Sequence, residues 1–339
     1  MPDEGRLDHI VVLAPNWIGD AAMATPALRA LHRRFPTARM TVAGRGAICG
    51  LLEGLPWVSS LVPLPAQPGV ADMIRFRRAL NPKPDLCVAL PHSFRSGCLA
   101  WWSGATRRLG QNRGGRRWML TDVVEPHRED GHIVPIYMGH EYLDLVAALG
   151  CEDDGEGLEL SAPANDLAEV RRLLGDGGPV IGLAPGAAFG PSKLWPPERF
   201  AALADELTVR KRARGVLITG PGEEDTRNAV VQAAKHPLFD LQCQPPTLGR
   251  LKAILASVDL LIGNDSGPRH IAVAFKKPVI CLMGPTSPRY SEGPWERGEV
   301  LRVAVDCGPC QKPVCTEDHR CLTQIPVERA VEAAMRWLP

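Results

Sequence analysis

The sequence lacks the features of a membrane-spanning or strongly charged protein. Among its 339 residues, no apolar run reaches the roughly 18 residues that a helix needs to cross a bilayer. The formal net charge is only +1, which excludes both a general binder of polyanions and an acidic disordered tail. The first residues, MPDEGRLDHIVVLAP, are acidic and lead directly into an apolar run, unlike a secretory signal peptide. We therefore expect a cytoplasmic protein.

Aromatic residues are also scarce, at 5%, and they do not alternate with basic residues in any nucleic-acid-binding motif. The charges are nonetheless segregated along the chain. Residues 29–117 contain 15 lysines and arginines against three acidic residues, whereas residues 118–165 contain eleven acidic residues and one arginine. These segments are either two ordinary solvated surfaces, or the first presents a basic face to an anionic partner. Nucleic acid is not expected to be that partner.

The chain is long enough for two domains, and its 45% apolar residues can form large cores. Short apolar strands alternate with longer helices, and this pattern restarts after the breaker cluster GDGGP at 175–179. The predicted strands are 9–14, 39–43, 85–90, 179–184, 215–219, 258–262 and 278–283, and the predicted helices are 20–35, 197–212 and 223–235. Such alternation, present twice, predicts two doubly wound α/β domains. Their ligands are expected at the carboxyl ends of the strands.

The turn after the first predicted strand is APNWIGD, residues 14–20. Gly19 permits a tight turn, and Asp20 stands where the next helix begins. A carboxylate there is either a helix N-cap, which is common for aspartate, or a general base held open to a ligand. Spacing alone does not decide between these two roles.

The turn after the first strand of the second domain is PGAAFGPSKLWP, residues 185–196. Its small residues let a ligand approach the backbone closely, and Lys193 can reach an oxyanion. Lys193 can also be an ordinary surface lysine, although the neighbouring glycines and the Trp-Pro that follows favour a site. The segment is not a Walker loop, because it does not match G-x-x-x-x-G-K-[ST].

Two further turns of the second domain carry polar residues. In GPGEED (220–225), an acidic side chain can accept hydrogen bonds from ribose hydroxyls or simply favour the dipole of the next helix. In GNDSGPRH (263–270), Pro268 fits the first helical position, and the N–H groups of Ser266 and Gly267 would face an anion. His270 is either a packing residue or a phosphate contact. This last turn has the pattern of a diphosphate cradle.

Five motifs together resemble one known family. They are APNWIGD, LPHSFRSG, PGAAFGPSKLWP, GNDSGPRHIAVA and MGPTSP. In this order and spacing they are similar to the bacterial ADP-heptose:lipopolysaccharide heptosyltransferases of glycosyltransferase family 9, especially the heptosyltransferase II type. The resemblance implies a GT-B fold, in which two Rossmann-like doubly wound domains face a central cleft. The acceptor-binding domain would be 1–172, the ADP-sugar-binding domain 173–325, and residues 326–339 a C-terminal helix that packs back on the first domain.

The resemblance also implies an activity. This is the inverting, metal-independent transfer of heptose from ADP-L-glycero-D-manno-heptose to the inner core of lipopolysaccharide, with an acceptor of the heptosyl-Kdo-lipid A type. No cofactor is implied for catalysis. The enzyme would associate reversibly with the cytoplasmic surface of the inner membrane. The alternatives are transfer of another nucleotide-linked sugar and a GT-B nucleotide-sugar epimerase, although an epimerase has no anionic acceptor for the basic stretch to hold.

Functional residues of the family can be assigned where the motifs match. Asp20 would be the base that deprotonates the acceptor hydroxyl, and Lys193 the cation that offsets charge on the departing ADP. Asp265 would contact the heptose hydroxyls, and either Glu223 or Glu224 the ribose. The remaining donor contacts would be Gly186, Ser192, Asn264, Ser266, Gly267, His270, Thr286 and Ser287. The acceptor contacts would be Asn16, Trp17, Arg95, Arg113, Arg116 and Arg117.

The ten cysteines fall into two groups. Cys307, Cys310, Cys315 and Cys321 lie within fifteen residues, and the CxxC pair is a good half-site for structural zinc. His319 is an alternative ligand, and free thiols or a redox pair are the other interpretations. A metal- or redox-sensing binding protein is the non-enzymatic alternative, but it leaves Asp20 and Lys193 unexplained. The remaining cysteines are interpreted as buried thiols: Cys49, Cys87, Cys98, Cys151, Cys243 and Cys281.

Overall fold

The computed structural model describes residues 6–241 and 247–339. The chain consists of two compact units, and the boundary between them along the chain falls between Ser161 and Ala162. In the described part of the chain, no helix combines the length and the apolar character needed to span a bilayer. Each unit is a parallel α/β sheet covered by helices, and we describe the two in turn.

Over residues 6–161, the first unit contains eight strands and six α-helices. The strands are β1 (His9–Leu13), β2 (Arg39–Gly44), β3 (Ser60–Pro63), β4 (Leu86–Ala89), β5 (Arg107–Gln111), β6 (Asp122–Val124), β7 (Arg128–Glu129) and β8 (His132–Ile133). The helices are α1 (Ile18–Met23), α2 (Thr25–Arg34), α3 (Gly46–Leu52), α4 (Val70–Ala79), α5 (Phe94–Trp102) and α6 (Met138–Ala147). A short 3₁₀ helix covers Arg117–Met119.

The main sheet of the first unit has the strand order β3-β2-β1-β4-β5-β6, with every pair parallel. The buried central strand β1 pairs on both sides: Val11 is in register with Thr41 of β2 and with Cys87 of β4. This is the strand order of a Rossmann fold, in which the direction of winding changes between β1 and β4. Loops at the carboxyl ends of these two strands therefore diverge and leave room for a ligand.

The helix predicted at 20–35 is in fact two helices, α1 and α2, which meet at Ala24. Pro26 occupies the first turn of α2, where a proline can begin a helix but its missing N–H cannot continue a preceding one. The Thr25 hydroxyl stabilises the junction, because it donates to the Ala22 carbonyl at 2.7 Å and accepts from Glu159 N at 3.0 Å. Because of this break, α1 has only six residues, or fewer than two helical turns.

The second unit is also a parallel sheet covered by helices, but its strand order differs from that of the first unit. Its described strands are β9 (Val180–Ala184), β10 (Arg214–Leu217), β11 (Leu260–Asn264), β12 (Val279–Leu282) and β13 (Gly298–Leu301). Its helices are α7 (Ala164–Leu174), α8 (Pro197–Lys211), α9 (Glu224–Ala233), α10 (Leu248–Ser257), α11 (Gly267–Ala274), α12 (Pro288–Ser291), α13 (Arg320–Thr323) and α14 (Val327–Trp337), with a 3₁₀ helix at Pro191–Lys193. Over these residues the sheet order is β10-β9-β11-β12-β13, all parallel. The predicted fold class is confirmed: both units are doubly wound, as in GT-B proteins.

The boundary between the units lies eleven residues before the predicted one at 172/173. The reason is that α7 packs against α10 of the second unit. Glu169 of α7 forms a 3.0 Å ion pair with Arg250 Nη1 of α10, which fixes the two helices side by side. The breaker cluster at 175–179 therefore ends α7 inside the second unit rather than joining two domains.

The C-terminal helix α14 packs on the second unit, which differs from the expectation that residues 326–339 return to the first domain. Its buried residues Ala330, Val331 and Ala334 lie in the same core as Phe200 of α8. These small side chains let the two helices approach closely. The adjacent Trp195 indole donates to the Ile325 carbonyl at 3.0 Å, which secures the segment just before α14.

Candidate active site

A pocket of about 340 Å³ lies at the carboxyl ends of β1, β2, β3 and β4 in the first unit. Its lining residues come from the loops after these strands and from the start of α5: Leu13, Ala14, Asn16, Ala43, Gly44, Arg45, Leu64, Pro65, Ala66, Pro68, Pro91, Ser93, Phe94, Arg95, Ser96 and Leu99. The pocket includes two of the predicted acceptor contacts, Asn16 and Arg95. Arg95 is exposed, and its Nη1 donates to the Ala66 carbonyl at 2.5 Å, across the pocket mouth.

Asp20 lies in the first turn of α1, half-buried, as the third helical residue. The N-cap position of α1 belongs to Trp17, so a simple N-cap role for Asp20 is wrong. The buried Tyr142 of α6 lies close enough to Asp20 to be affected by its charge. Burial raises the pKa of the Tyr142 phenol, and the negative charges of Asp20 and Glu141 raise it further. The Tyr142 phenol therefore stays protonated in the neighbourhood of Asp20.

Next to Tyr142 on α6, Glu141 forms ion pairs with residues of the loops after β4 and β5. Glu141 of α6 is buried, and its Oε1 lies 2.5 Å from His92 Nε2 and 3.8 Å from Arg113 Nη1. His92 belongs to the LPHSFRSG motif, so the motif contributes both to the pocket and to the surroundings of Tyr142. Arg113, a predicted acceptor contact, is half-buried and directed at Glu141. The loops after β4 and β5 are thereby connected to α6.

Arg116 is not a surface contact for an anionic acceptor, contrary to the expectation from the sequence. Its side chain is fully buried and donates to the carbonyls of Pro91, Gln111 (3.3 Å) and Ala89 (3.4 Å), and to Ser96 Oγ at 2.6 Å. Burial lowers the pKa of this guanidinium to about 10. The role of Arg116 is to hold the loop at the floor of the pocket.

The other predicted acceptor contacts are at the surface. Arg117 is exposed and begins the short 3₁₀ helix, and Trp17 is 54% exposed. Neither these two nor Arg113 lines the pocket, whereas Asn16 and Arg95 do. The structure therefore brings only part of the predicted acceptor set together.

The second unit has a compact charged cluster centred on Asp265, which is 5% exposed. Lys193 Nζ donates to Asp265 Oδ2 at 2.7 Å and to the Asp265 carbonyl at 2.9 Å. Thr286 Oγ1 donates to the same Oδ2 at 2.7 Å, and Arg269 Nη1 donates to Oδ1 at 2.8 Å. Burial would raise the pKa of Asp265, but Lys193 and Arg269 hold it well below its usual range. Three motifs thus converge on one ionised carboxylate.

Arg269 also belongs to this cluster, although the sequence motifs assigned it no role. Its guanidinium is 1% exposed and also donates to Glu296, with Nε at 2.9 Å from Oε1 and Nη2 at 2.9 Å from Oε2. Arg269 therefore holds Asp265 Oδ1, the carboxylate oxygen that Lys193 does not contact. Arg269 follows Asp265 by four residues at the start of α11, and this i,i+4 spacing is the feature of the sequence that could have predicted their ion pair.

The N-terminus of α11 lies next to this cluster. Ser266 is the N-cap residue and Gly267 the first helical residue, with Pro268 in the first turn. Ser266 Oγ has no hydrogen-bond partner among the described residues. Free N–H groups and the helix dipole at this end favour an anion such as a diphosphate. Ser287, the N-cap residue of α12, is also buried at the sheet edge, next to Thr286.

His270 is a packing residue rather than a cationic phosphate contact. It is 5% exposed within α11. Burial, reinforced by the nearby positive charge of Arg269, lowers the pKa of His270 to about 3. The imidazole is therefore neutral at ordinary pH and brings no positive charge to a phosphate.

The structure separates Glu223 from Glu224. The Glu223 carboxylate folds back over Gly186, where a Cβ atom would lie 1.9 Å from Glu223 Oε2, and that oxygen accepts from Gly220 N at 2.7 Å. Burial raises the pKa of Glu223. Glu224 is exposed and accepts from Gly222 N at 3.2 Å at the start of α9. Only Glu223 is directed to the edge of the sheet, and Gly186 must be glycine to leave room for it.

Two predicted donor contacts have structural roles instead. Asn264 is 1% exposed: its Oδ1 accepts from Trp195 N at 3.1 Å and its Nδ2 donates to the Pro185 carbonyl at 2.6 Å. It joins the turns after β9 and β11. Ser192 is also buried, and its Oγ donates to the Lys312 carbonyl at 2.6 Å.

The four clustered cysteines line a small cavity of about 60 Å³ between β13 and α13. Cys307 is exposed, Cys310 and Cys315 are half-buried, and Cys321 is buried. In the described residues no three histidine, cysteine or acidic side chains are already arranged around a common metal position. The nine described cysteines are free thiols; Cys49, Cys87, Cys151 and Cys281 are buried as predicted, Cys98 is half-buried, and Cys243 lies outside the described residues.

Two doubly wound units are the architecture of the GT-B type, and the second unit has a lysine–aspartate pair beside a helix N-terminus at its sheet edge. A family model described as glycosyltransferase family 9 (heptosyltransferase) matches residues 73–320, which is more than half of the chain. This chain belongs to that family.

Similar proteins match over nearly the whole length. Lipopolysaccharide heptosyltransferase 2 of Escherichia coli K12 is 27% identical over 341 residues, with 95% of this chain and 96% of the relative covered. Lipooligosaccharide heptosyltransferase 2 of Campylobacter jejuni serotype O:6 is 26% identical, with 95% and 97% covered. The solved structure of E. coli ADP-heptose LPS heptosyltransferase II superposes with a TM-score of 0.80 at 24% identity, covering 97% of this chain and 98% of that one.

Proposed function

We propose that this enzyme transfers heptose from ADP-L-glycero-D-manno-heptose to the inner core of lipopolysaccharide, with an acceptor of the heptosyl-Kdo-lipid A type. The observation that carries the proposal is the Lys193–Asp265 pair at 2.7 Å beside the N-terminus of α11. In this pair, the Lys193 ammonium can bind a leaving diphosphate, and the Asp265 carboxylate can accept hydrogen bonds from sugar hydroxyls. The relatives named heptosyltransferase 2 support heptose and lipopolysaccharide as the substrates.

The proposed reaction is a single inverting displacement. Asp20 accepts the proton of the acceptor hydroxyl as the hydroxyl oxygen bonds to the anomeric carbon of heptose. The bond between that carbon and the diphosphate oxygen breaks, and ADP leaves with the electron pair. An ammonium group has three donors, and Lys193 uses two of them on Asp265. We assign the third to the diphosphate, together with the N–H groups of Ser266 and Gly267.

The remaining donor contacts follow from the same arrangement. We propose that Asp265 and Thr286 bind the heptose hydroxyls and that Glu223, rather than Glu224, accepts from the ribose, because only Glu223 folds over Gly186 at the sheet edge. Lys193 supplies the positive charge that a divalent cation supplies in other transferases. The transfer itself is therefore proposed to need no metal and no cofactor.

For the acceptor, we propose that the pocket of the first unit holds the inner core through Asn16 and Arg95. An exposed guanidinium in a pocket suits phosphate and carboxylate groups, which it can bind through two parallel hydrogen bonds. Arg117 extends the positive surface, whereas Arg116 is excluded by its burial.

We also propose that the protein is cytoplasmic and binds reversibly to the inner membrane through the first unit. Its exposed apolar side chains include a set of aromatic residues: Trp17, Phe94, Trp101, Trp102 and Trp118. The rings of Phe94 and Trp118 lie 6.5 Å apart, beside the exposed Arg95 and Arg117. Aromatic rings with basic neighbours suit the interface of an anionic lipid surface.

The decisive experiment is a product assay with purified protein, ADP-heptose and a heptosyl-Kdo-lipid A acceptor. We expect the acceptor to gain one heptosyl residue in mass spectrometry, with inverted anomeric configuration by NMR. ADP-heptose altered at one carbon without an acceptor would indicate an epimerase. Transfer only from a different nucleotide sugar would overturn heptose as the substrate.

A further inference from the structure

The loop that carries the four cysteines contacts the segment of Lys193 directly. Ser192 N donates to the Pro313 carbonyl at 3.1 Å, and Ser192 Oγ donates to the Lys312 carbonyl at 2.6 Å. His319 Nε2 donates to the Ser192 carbonyl at 2.7 Å. All three polar groups of Ser192 are thus held by the segment between Cys310 and Cys321. Lys193 is the next residue.

The same loop contacts a second turn of the Asp265 cluster. Gln311 N donates to the Pro285 carbonyl at 2.9 Å, and a Cβ atom on Gly284 would lie 3.0 Å from Cys321 Sγ. Pro285 precedes Thr286, which donates to Asp265. The cysteine loop therefore contacts both segments that supply hydrogen-bond donors to Asp265 from outside α11.

Apart from Val303 and Val305, which pack against the core of the second unit, the loop is mostly exposed. Between Leu301 of β13 and Arg320 of α13 it contains no helix or strand, and Cys307, Lys312, Pro313 and Val314 are exposed. A segment of this length without secondary structure and with few buried apolar residues has low local stability. A cross-link inside it would restrict the conformations that the loop can adopt.

The chemistry of the cavity suits such a cross-link. All four cysteine side chains line one space of about 60 Å³, and none is in a disulfide. Four thiolates at about 2.3 Å around a tetrahedral ion form a common structural zinc site. His319 already donates to Ser192 and is therefore not available as a ligand through Nε2. Because the sulfurs line the cavity without converging, binding requires rotation of the more exposed thiols, Cys307 among them.

We propose that Cys307, Cys310, Cys315 and Cys321 bind one zinc ion, and that this ion positions Lys193 by fixing the contacts of the cysteine loop with Ser192. Each thiol that binds loses its proton, and the four sulfurs replace water on the ion. The zinc does not touch substrate. The positioning part rests on the proposed role of Lys193 in binding ADP, whereas the zinc site itself is independent of that role.

The first test measures metal in the full-length protein. After growth with zinc, we expect about one zinc per chain by inductively coupled plasma mass spectrometry. Cys310→Ser should lose most of it, and the matched control Cys98→Ser, a half-buried thiol on α5, should keep it. Retention of zinc in Cys310→Ser, or a chain that neither carries nor takes up zinc, would overturn the site. Iron bound in place of zinc would overturn the choice of metal.

The second test measures ADP binding by calorimetry, which requires no heptosyl acceptor. In Cys310→Ser we expect the dissociation constant for ADP to rise about tenfold, which corresponds to about 1.4 kcal/mol. Ser192→Ala should weaken ADP binding by a smaller factor while retaining zinc, because it removes one of the three hydrogen bonds between the loop and Ser192 and none of the cysteines. Unchanged ADP affinity after loss of zinc would overturn the positioning role. Since zinc content and ADP affinity are read without sugar transfer, failure of the transfer assay leaves both tests intact.

Discussion

Lys193 Nζ lies 2.7 Å from the Asp265 carboxylate and 2.9 Å from the main-chain carbonyl of the same residue. One residue therefore anchors the lysine at two points. The aspartate is itself held by Arg269 and Thr286, so the ammonium group is placed by a network rather than by a single flexible contact. Such preorganisation lets a positive charge act on a leaving group without reorganisation during the reaction.

Lys193→Ala should weaken ADP binding and slow transfer together. Loss of one charge-assisted contact costs about 1.5–3 kcal/mol. Calorimetry with ADP and initial transfer rates would measure the two effects, with transfer by the wild type independent of added Mg²⁺. Lys235→Ala, an exposed lysine of the second unit, is the control and should behave as wild type. A strict need for Mg²⁺ or Mn²⁺ in the transfer step would contradict the role of Lys193.

Asp20→Asn should retain the fold and lose kcat by about 10²–10⁴-fold, because asparagine cannot accept a proton. ADP affinity should stay unchanged, because the proposed contacts with ADP lie in the second unit. The matched control is Asp72→Asn, since Asp72 is likewise the third residue of a helix in the first unit. If both variants had nearly normal kcat, Asp20 would serve only the helix dipole.

Arg116→Met and Arg117→Met should differ sharply in stability. Removing the buried guanidinium leaves the carbonyls of Pro91, Ala89 and Gln111 without their donor, at about 1–3 kcal/mol for each unsatisfied group. Replacing the exposed Arg117 should change the free energy of unfolding by no more than about 0.5 kcal/mol. Differential scanning calorimetry would compare the transition of the first unit in the two variants. Equal stability would show that Arg116 is not a structural residue.

The double variant Arg117→Glu/Trp118→Ser should reduce flotation with anionic liposomes, and added salt should reduce it in the wild type. Each basic residue near an anionic surface contributes on the order of 1 kcal/mol. Arg210→Glu/Val209→Ser makes the matched change on α8 of the second unit, where both side chains are also exposed. Equal loss from both double variants would point to net charge rather than to the aromatic surface of the first unit.

Because of His270, the free energy of unfolding should decrease as the pH falls below 6.5. Burial lowers the pKa of the folded state to about 3, so between these values the unfolded chain binds a proton that the folded chain does not. The stability is present above pH 6.5 and is lost on acidification, at about 1.4 kcal/mol per pH unit at most. Urea unfolding of His270→Asn between pH 6.5 and 5 should show a flatter dependence than the wild type. The exposed His132→Asn should retain the wild-type slope.

The sequence alone determined the two doubly wound units, because strand and helix periodicity is a local property. The strands at 9–14, 179–184 and 278–283 match β1, β9 and β12 to within a residue or two at each end. The same order predicted that functional residues follow the strands. This logic singles out Lys193 and the turn 263–270, the family resemblance adds Asp265 of that turn, and the structure places Lys193 and Asp265 2.7 Å apart.

Only the tertiary structure decided which polar residues face a ligand and which hold the backbone together. Ser192 is bound by residues 120 and more positions away, and Asn264 joins turns 79 residues apart. Arg116 has the same charge as Arg117, yet one is buried and the other exposed, since their side chains leave the loop in different directions. Glu223 and Glu224 differ for the same reason. Direction and burial depend on what packs against a residue, and these partners lie too far along the chain for local patterns to specify.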